Sequence, residues 1–301
     1  MEPELSIIIV NYNVSELLQK CIGSVYKHCS SAFEILLIDN NSTDNSISII
    51  REKFPEVKII ENKFNAGFPK ANNQGIDIAK GKYILLLNPD TELQDDAIGQ
   101  MIGYMRSNVH VQLMAPKLLN TDLSLQHSIQ RFITVKEIIA ETFFLHSGMK
   151  KRNGYFNEYK EEILQVEALS GAAILMKKEV VEKIGKLDEE LFWTEDMEFC
   201  YRASLHGIDR IYYPMAAIVH HVGQSGKKNL SVMISNQVLT KINYFKKNHS
   251  SFQFFTVKVF RFIHVVSRII IFGLLSLFGK NYRLKCEAYL YTMRRFLKHD
   301  Y

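Results

Sequence analysis

Four strand-like segments mark the first ninety positions: the largely apolar runs Leu5–Val10, Phe33–Ile38 and Tyr83–Leu87, and the short Val57–Glu61. Runs that do not alternate with polar residues are strands covered on both faces. Between them the apolar positions change to helical spacing. Ser15–His28 carries Leu17, Leu18, Ile22 and Val25. Ser42–Phe54 has Asp44 near its start and Pro55 beyond its end, and Lys70–Ala79 follows a loop from Asn62 to about Pro69. Strands alternating with helices predict an α/β fold with a parallel sheet between helical layers. Residues 95–165 alternate less clearly. Beyond them, Ala168–Met176 reads as a strand of small residues and Val180–Gly185 as a helix end capped by its glycine. Thr194 is placed to cap a helix over Glu195–Leu205 that Gly207 ends, and Ile211–Tyr213 and Ala216–Val219 read as two further strands. No internal repeat is visible.

Ligands on open α/β sheets bind outside the carboxyl ends of the strands. Three tripeptides stand there: Asn11-Tyr12-Asn13, Asp39-Asn40-Asn41 and Asn88-Pro89-Asp90. Ordinary turn chemistry accounts for any one of them. Three at the same edge favour a polar ligand site.

The 301 residues are 47% apolar and 23% charged, which excludes disordered, collagenous and low-complexity classes. The four cysteines form no C-x-x-C pair, which argues against a disulfide framework or thiolate zinc site and for a reducing compartment. The amino terminus lacks the basic start and long apolar run of a secretory leader. A cytoplasmic location is expected. The net charge of +5 is unevenly spread. Residues 246–301 hold 11 Lys and Arg against 2 Asp and Glu, or +9, leaving −4 on residues 1–245. This suggests a catalytic domain over 1–245 and a basic helical tail over 246–301.

In the tail, Lys258, Arg261, His264 and Arg268 interrupt a stretch rich in Phe, Ile, Val and Leu at spacings that stack them on one helical face. The uncharged run Ile269–Gly279 is shorter than the roughly 20 residues of a spanning helix. A basic face opposite an apolar one predicts a helix lying on an anionic membrane surface, peripheral to the inner face of the cell membrane. The alternative is packing on the domain or on a second copy of the chain. Because the basic charge travels with apolar residues, nucleic acid is not the expected partner.

No G-x-G-x-x-G, P-loop, H-E-x-x-H or G-x-S-x-G pattern occurs, so dinucleotide, P-loop, zincin and serine-hydrolase chemistry lose their main support. What remains is carboxylates and one histidine pair. Asp39 and Asp90 follow strands, with Glu92 two residues on; His220-His221 follow the last strand; Glu195-Asp196 open a helix. Acidic residues at a helix start also have a plain macrodipole explanation, and the two histidines one of strand alternation. Together the strand-end Asp and His groups suit one hard divalent cation with open positions.

In order along the chain, these segments resemble inverting nucleotide-sugar glycosyltransferases of family 2, with the GT-A fold. Ser6–Asn13 is similar to the family's opening strand, Ile38–Asp44 to its nucleoside-binding turn, and Asn65–Gly75 to the loop and helix beside the nucleotide. Leu87–Asp90 stands where the D-x-D motif stands. Gly185–Glu189 and Trp193–Arg202 resemble the E-D helix region, and His220–Ser225 the final metal-side loop. The resemblance covers residues 5–225 and leaves the tail outside. It implies that Asp39 accepts hydrogen bonds from the base with Asn11 and Asn41 nearby, and that Gly67, Asn72 and Asn88 also line the donor nucleotide. It further implies that Asp90 and His220 hold Mg²⁺ or Mn²⁺, that Asp196 is the general base, and that Glu195 positions acceptor or sugar. The family's first D-x-D aspartate is Asn88 here, which removes a negative charge at the metal. The N-P-D form is similar to that of rhamnosyl- and related deoxysugar transferases.

The function so implied is sugar transfer, rhamnose foremost, from a dTDP- or UDP-sugar to a lipid-linked or polysaccharide acceptor. The bound cation would neutralise the leaving diphosphate. A carboxylate would take the acceptor's proton, with inversion by in-line attack. The alternative is a non-catalytic nucleotide-sugar-binding or membrane assembly subunit, for which Asn88 is the supporting feature.

Overall fold

A computed structural model describes residues 2–145, 161–221 and 230–298. In chain order its elements are β1 Leu5–Asn11, α1 Ser15–His28, β2 Phe33–Asp39, α2 Ser46–Lys53, β3 Lys58–Glu61, α3 Phe68–Ile78, β4 Tyr83–Leu87, β5 Thr91–Leu93, α4 Ala97–Ser107, β6 Leu113–Leu119, β7 Leu125–Gln126, β8 Ile129–Gln130, α5 Val135–Thr142, β9 Leu164–Gln165, β10 Ala168–Leu169, β11 Ala173–Lys177, α6 Lys178–Ile184, α7 Glu195–Leu205, β12 Arg210–His220, α8 Leu230–Asn248, α9 Ser251–Leu275 and α10 Lys280–Leu297.

Two compact units share these elements. The first gathers Met1–Phe132, Lys160–Glu189 and Glu195–Ser225; the second gathers Ile133–Tyr159, Glu190–Thr194 and Gly226–Tyr301. The helical unit therefore does not begin at residue 246. It takes in α8 and recruits α5 from the middle of the chain, because α9 packs against α5, α8 and α10.

The α/β unit is built on one sheet in the order β3-β2-β1-β4-β11-β6-β12-β5. Its first four strands are parallel, in the register Asn11↔Asp39 and Ile9↔Leu87. The aliphatic runs leave β1 and β4 fully buried, with the core continuing into α1 and α4. Beyond β4 the sheet turns mixed. β11 runs antiparallel to both β4 and β6, and β12 runs parallel to β6.

Four local expectations change. Helix α2 starts at Ser46, because Ser42–Asn45 form a hydrogen-bonded turn against β1 and β2. The small-residue strand Ala168–Met176 is broken at Ser170–Ala172 into β10 and β11. The two late strands are one, β12, with a register shift between Tyr213 and Ala217 around Pro214. Thr194 does not cap α7 with its side chain, since its Oγ1 is buried without a hydrogen-bond partner.

In the helical unit, α9 reverses the polarity anticipated for it. Arg261, His264 and Arg268 are 0%, 3% and 5% exposed. The guanidinium of Arg261 donates to Glu141 Oε2 at 2.7 Å, and Arg268 donates to the carbonyls of Glu141 and Thr142 at the C-terminus of α5. A helix C-terminus carries partial negative charge, so the cationic face turns toward it. What faces out is apolar: Phe252, Phe255, Ile270, Leu274, Leu277 and Phe278. By length and composition alone, Ser251–Phe278 is also long and apolar enough to cross a membrane.

Candidate active site

The carboxyl ends of β1 and β2 lie side by side, and their polar residues bind one another. Asn11 Nδ2 donates to Asp39 Oδ1 at 2.8 Å and to Ser42 Oγ at 3.0 Å. Ser42 returns its hydroxyl to Asp39 Oδ1 at 2.6 Å and its backbone N–H to Oδ2 at 2.9 Å. This is an Asx-type turn, and it fixes the Asp39 carboxylate in a pocket where it is 3% exposed. Asn11 Oδ1 is buried without a partner, an acceptor left for a ligand's donor. Asn41 is exposed, with φ +64°. Gly67 has φ +86° at the start of α3, and a Cβ there would meet nothing within 4 Å; its backbone conformation, not space, requires glycine. Asn72 is buried in α3 and donates to Phe68 O at 3.0 Å. Asn40, read in the sequence only as part of the strand-end tripeptide, has a linking role of its own. It links strand end to loop, donating to Gly67 O at 3.3 Å and accepting from Asn62 at 2.9 Å.

A second group forms where β4 and β12 end. His220 Nε2 lies 3.3 Å from Asp90 Oδ1 and 3.5 Å from Asn88 Nδ2. Gln126 settles the histidine tautomer. Its amide nitrogen donates to His220 O and Asn120 Oδ1, both at 3.0 Å, so its oxygen must face His220 Nδ1, 2.7 Å away. Nδ1 is then the N–H donor, which makes Nε2, on the Asp90 side, the nitrogen that offers a lone pair to a cation in the neutral ring. Asn88 Oδ1 is buried and has no hydrogen-bond partner. Among the described residues no three His, Cys, Asp or Glu side chains converge as a metal cage. One carboxylate, one imidazole lone pair and one orphaned amide oxygen nevertheless form a donor set that fits a divalent cation with open positions. Sequence reasoning missed Gln126, which has no motif signal of its own.

The third group surrounds Asp196 in the first turn of α7, where Glu195 is half-buried beside it. Asp196 Oδ2 accepts from Gly171 N at 2.8 Å and Gln130 Nε2 at 3.0 Å, while Oδ1 accepts only its neighbour Met197 N at 2.7 Å. Gln130 reaches the carboxylate because β8 pairs with β10, which leads into Gly171. Gly171 is needed for closeness. A Cβ there would stand 3.3 Å from Asp196 Cβ and 3.4 Å from Oδ2. Burial raises the Asp196 carboxyl above its ordinary value, against the pull of these donors. The groups are joined by backbone: Asn88 N donates to Ala172 O at 2.9 Å, one residue from the Gly171 N–H that holds Asp196.

A parallel half with polar strand ends, continued by a mixed half that carries an acidic helix start, is the GT-A glycosyltransferase architecture. Two solved structures share it. GalNAc-T7 with UDP, GalNAc and Mn²⁺ aligns with a TM-score of 0.59 and 17% identity over 81% of this chain and 50% of that one. The mannosyltransferase PcManGT from Pyrobaculum calidifontis, in complex with GDP-Man and Mn²⁺, aligns with a TM-score of 0.57 and 13% identity over 99% and 87%. At such identities the likeness establishes the fold. Residues 6–185 match the profile of glycosyl transferase family 2, and the chain belongs to that family. It is 22% identical to the N-acetylglucosaminyl-diphospho-decaprenol L-rhamnosyltransferase of Mycobacterium tuberculosis H37Rv, over 75% of this chain and 78% of that protein. It is 28% identical to the poly-beta-1,6-N-acetyl-D-glucosamine synthase of Staphylococcus epidermidis, over 70% of this chain, and 37% identical to the uncharacterized glycosyltransferase YibD of Escherichia coli, over 30%. The chain spans 48% of the synthase and 27% of YibD.

Proposed function

We propose that this chain is a metal-dependent inverting glycosyltransferase. Its donor is a nucleoside-diphosphate sugar, with dTDP-rhamnose foremost and UDP-sugars behind it, and its acceptor is lipid-linked or a polysaccharide. The observation that carries the reading is the meeting of Asn88, Asp90 and His220 at the same sheet edge as the Asn11–Asp39 pair. A nucleoside fits against Asp39, Asn11 and Asn41, with Gly67 and Asn72 on the loop and helix beside it. Asp90 and His220, with the amide oxygen of Asn88, would hold Mg²⁺ or Mn²⁺; when bound, that ion neutralises charge developing on the diphosphate leaving group.

Asp196 is suited to take the acceptor hydroxyl's proton. Its carboxylate is aimed by Gly171 and Gln130, and burial strengthens it as a base. Glu195 helps to place acceptor or sugar. With Asp196 as base on the acceptor hydroxyl, direct in-line displacement with inversion is the expected stereochemistry. The acceptor class is supported by the decaprenol-linked substrate in the name of the mycobacterial relative and by the outward apolar face of α9. In this reading the protein lies on the cytoplasmic side of a membrane, with the apolar face toward the bilayer and the exposed basic residues of α10 near anionic headgroups.

The test is a thermal-shift and turnover screen of nucleotide sugars with and without Mn²⁺. Metal-dependent stabilisation by dTDP- or UDP-sugars, with sugar release or transfer, is expected. Binding without turnover would leave the non-catalytic subunit, and no response to any nucleotide sugar would overturn both.

A further inference from the structure

The helical unit contains a cavity of about 280 Å³ whose lining includes Trp193, Thr194, Glu141, Lys241, His264 and Tyr289. It is just below the ~300–1,000 Å³ that house whole small-molecule ligands, and is sized for a headgroup. Its electrostatics are unbalanced. Lys241 Nζ lies 3.0 Å and Arg261 Nη2 2.7 Å from the same oxygen, Glu141 Oε2. Arg268 is already occupied at the end of α5 and stacks over Phe144 at 3.7 Å. One carboxylate thus faces two cations. Arg261 is 0% exposed, yet its Nε and Nη1 have no hydrogen-bond partner.

Two further buried polar atoms are also without partners, Thr194 Oγ1 and His264 Nδ1, and both residues line the cavity. Burial, reinforced by Arg261 and Arg268, pushes His264 down to about 3, so its ring is neutral and adds no charge. Against burial, Lys241 and Arg261 hold Glu141 well below the usual carboxylate range. Burial and Arg261 lower the Lys241 ammonium, with Glu141 and Glu137 opposing them, and a destabilised cation beside orphaned polar atoms is costly unless an anion completes the group. The backbone agrees. Trp193 has φ +84°, an unfavourable conformation for a bulky residue, and such strain gathers at ligand clamps.

We propose that this cavity is a binding site for a phosphate or diphosphate group, and that the group is the one that heads the lipid-linked acceptor. Lys241 supplies the charge at the cavity wall, with Arg261 behind it on Glu141, while Thr194 and His264 supply hydrogen bonds and Trp193 and Tyr289 a flat apolar wall for what is attached. The choice of acceptor rests on the function proposed above. The chain connects the two ideas, since Thr194 is the residue before Glu195.

Trp193 is the only tryptophan, so the protein carries its own reporter. The full chain in mild detergent with EDTA is titrated with inorganic pyrophosphate and with farnesyl diphosphate, following tryptophan fluorescence. Saturable changes are expected, with farnesyl diphosphate the tighter ligand. Lys241→Gln should weaken both by about tenfold or more, because a charge-assisted bond is lost. Glu141→Gln should tighten both several-fold, because the competing carboxylate is gone; a cluster that serves only the fold would lose stability without gaining affinity. Circular dichroism confirms that each variant is folded. No saturable change up to millimolar ligand, or an unchanged affinity in Lys241→Gln, overturns the site. Equal affinity for the two ligands overturns its assignment to a lipid-linked group. Mn²⁺-dependent binding of nucleotide sugar is measured in parallel. If that fails, the proposed function falls; if it holds while the diphosphate titrations stay flat, this inference falls alone.

Discussion

The Gly171 and Gln130 N–H groups bind Asp196 at Oδ2, while its neighbour Met197 donates to Oδ1. In the proposed role, Oδ1 is the oxygen that takes the proton of the incoming hydroxyl. Asp196→Asn keeps the shape and removes the base, so transfer should fall by about 10²–10⁴-fold with donor binding retained. Single-turnover kinetics beside nucleotide titration checks both. Near-normal turnover in this variant would refute the assignment. The working form is ionised and burial raises the carboxyl, so activity is lost as pH falls through a pKa above the ordinary 3.8. The acid limb of the rate profile should therefore lie above that value. Gln126 acts through His220 by fixing its tautomer. Gln126→Ala should weaken Mn²⁺ binding by about 10–100-fold, read by electron paramagnetic resonance of the ion with no substrate present.

At the scale of elements, the part legible in sequence is the part governed by local rules. Leu5–Val10 and Tyr83–Leu87 are aliphatic enough to be buried whichever way they face, and the Asn and Asp residues after them mark the strand ends. The mixed half is not legible in this way, because the direction of β11 depends on a partner strand, β4, about ninety residues earlier. The division of Ala168–Met176 at Gly171 depends on Asp196, which must come within hydrogen-bond distance of that backbone. Helix α3 shows how tightly the legible half is built. A Cβ on Gly75 would stand 2.5 Å from Ile8 Cγ2 in β1. Gly75→Ala gains helix propensity but overpacks this contact, and should cost about 1–3 kcal/mol in urea denaturation. Since α3 carries Asn72 and begins at Gly67, the same variant should also weaken nucleotide binding. Full stability in Gly75→Ala would show that the sheet and helix can separate freely at this point.

At the scale of the whole molecule, the basic tail means something different from its composition. Periodicity places Arg261, His264 and Arg268 on one face of α9 correctly, but cannot say which way that face points. Glu141, on a helix more than a hundred residues earlier, decides it. A helix of a water-soluble domain turns its apolar side inward; α9 turns Arg261 and Arg268 inward, keeps Lys258 half-buried, and leaves Phe252, and Leu277 in the turn after it, 79% and 84% exposed. Contiguous apolar surface of this kind marks an interface. A lipid bilayer suits it, since the exposed Lys280, Arg283, Lys285, Arg294 and Lys298 of α10 can meet headgroups while the Phe and Leu face enters the acyl boundary. Phe255→Glu combined with Phe278→Glu should then abolish co-sedimentation with anionic vesicles while leaving the Glu141 cluster and the fold intact. If the face is instead covered by a second copy of the chain, the same variant would dissociate a dimer on size-exclusion chromatography and leave vesicle binding unchanged. Because Arg261 and Arg268 are buried against α5, neutralising them is not the informative experiment. It would disturb α5 and the phosphate cavity together, whereas the aromatic variant touches only the outer face.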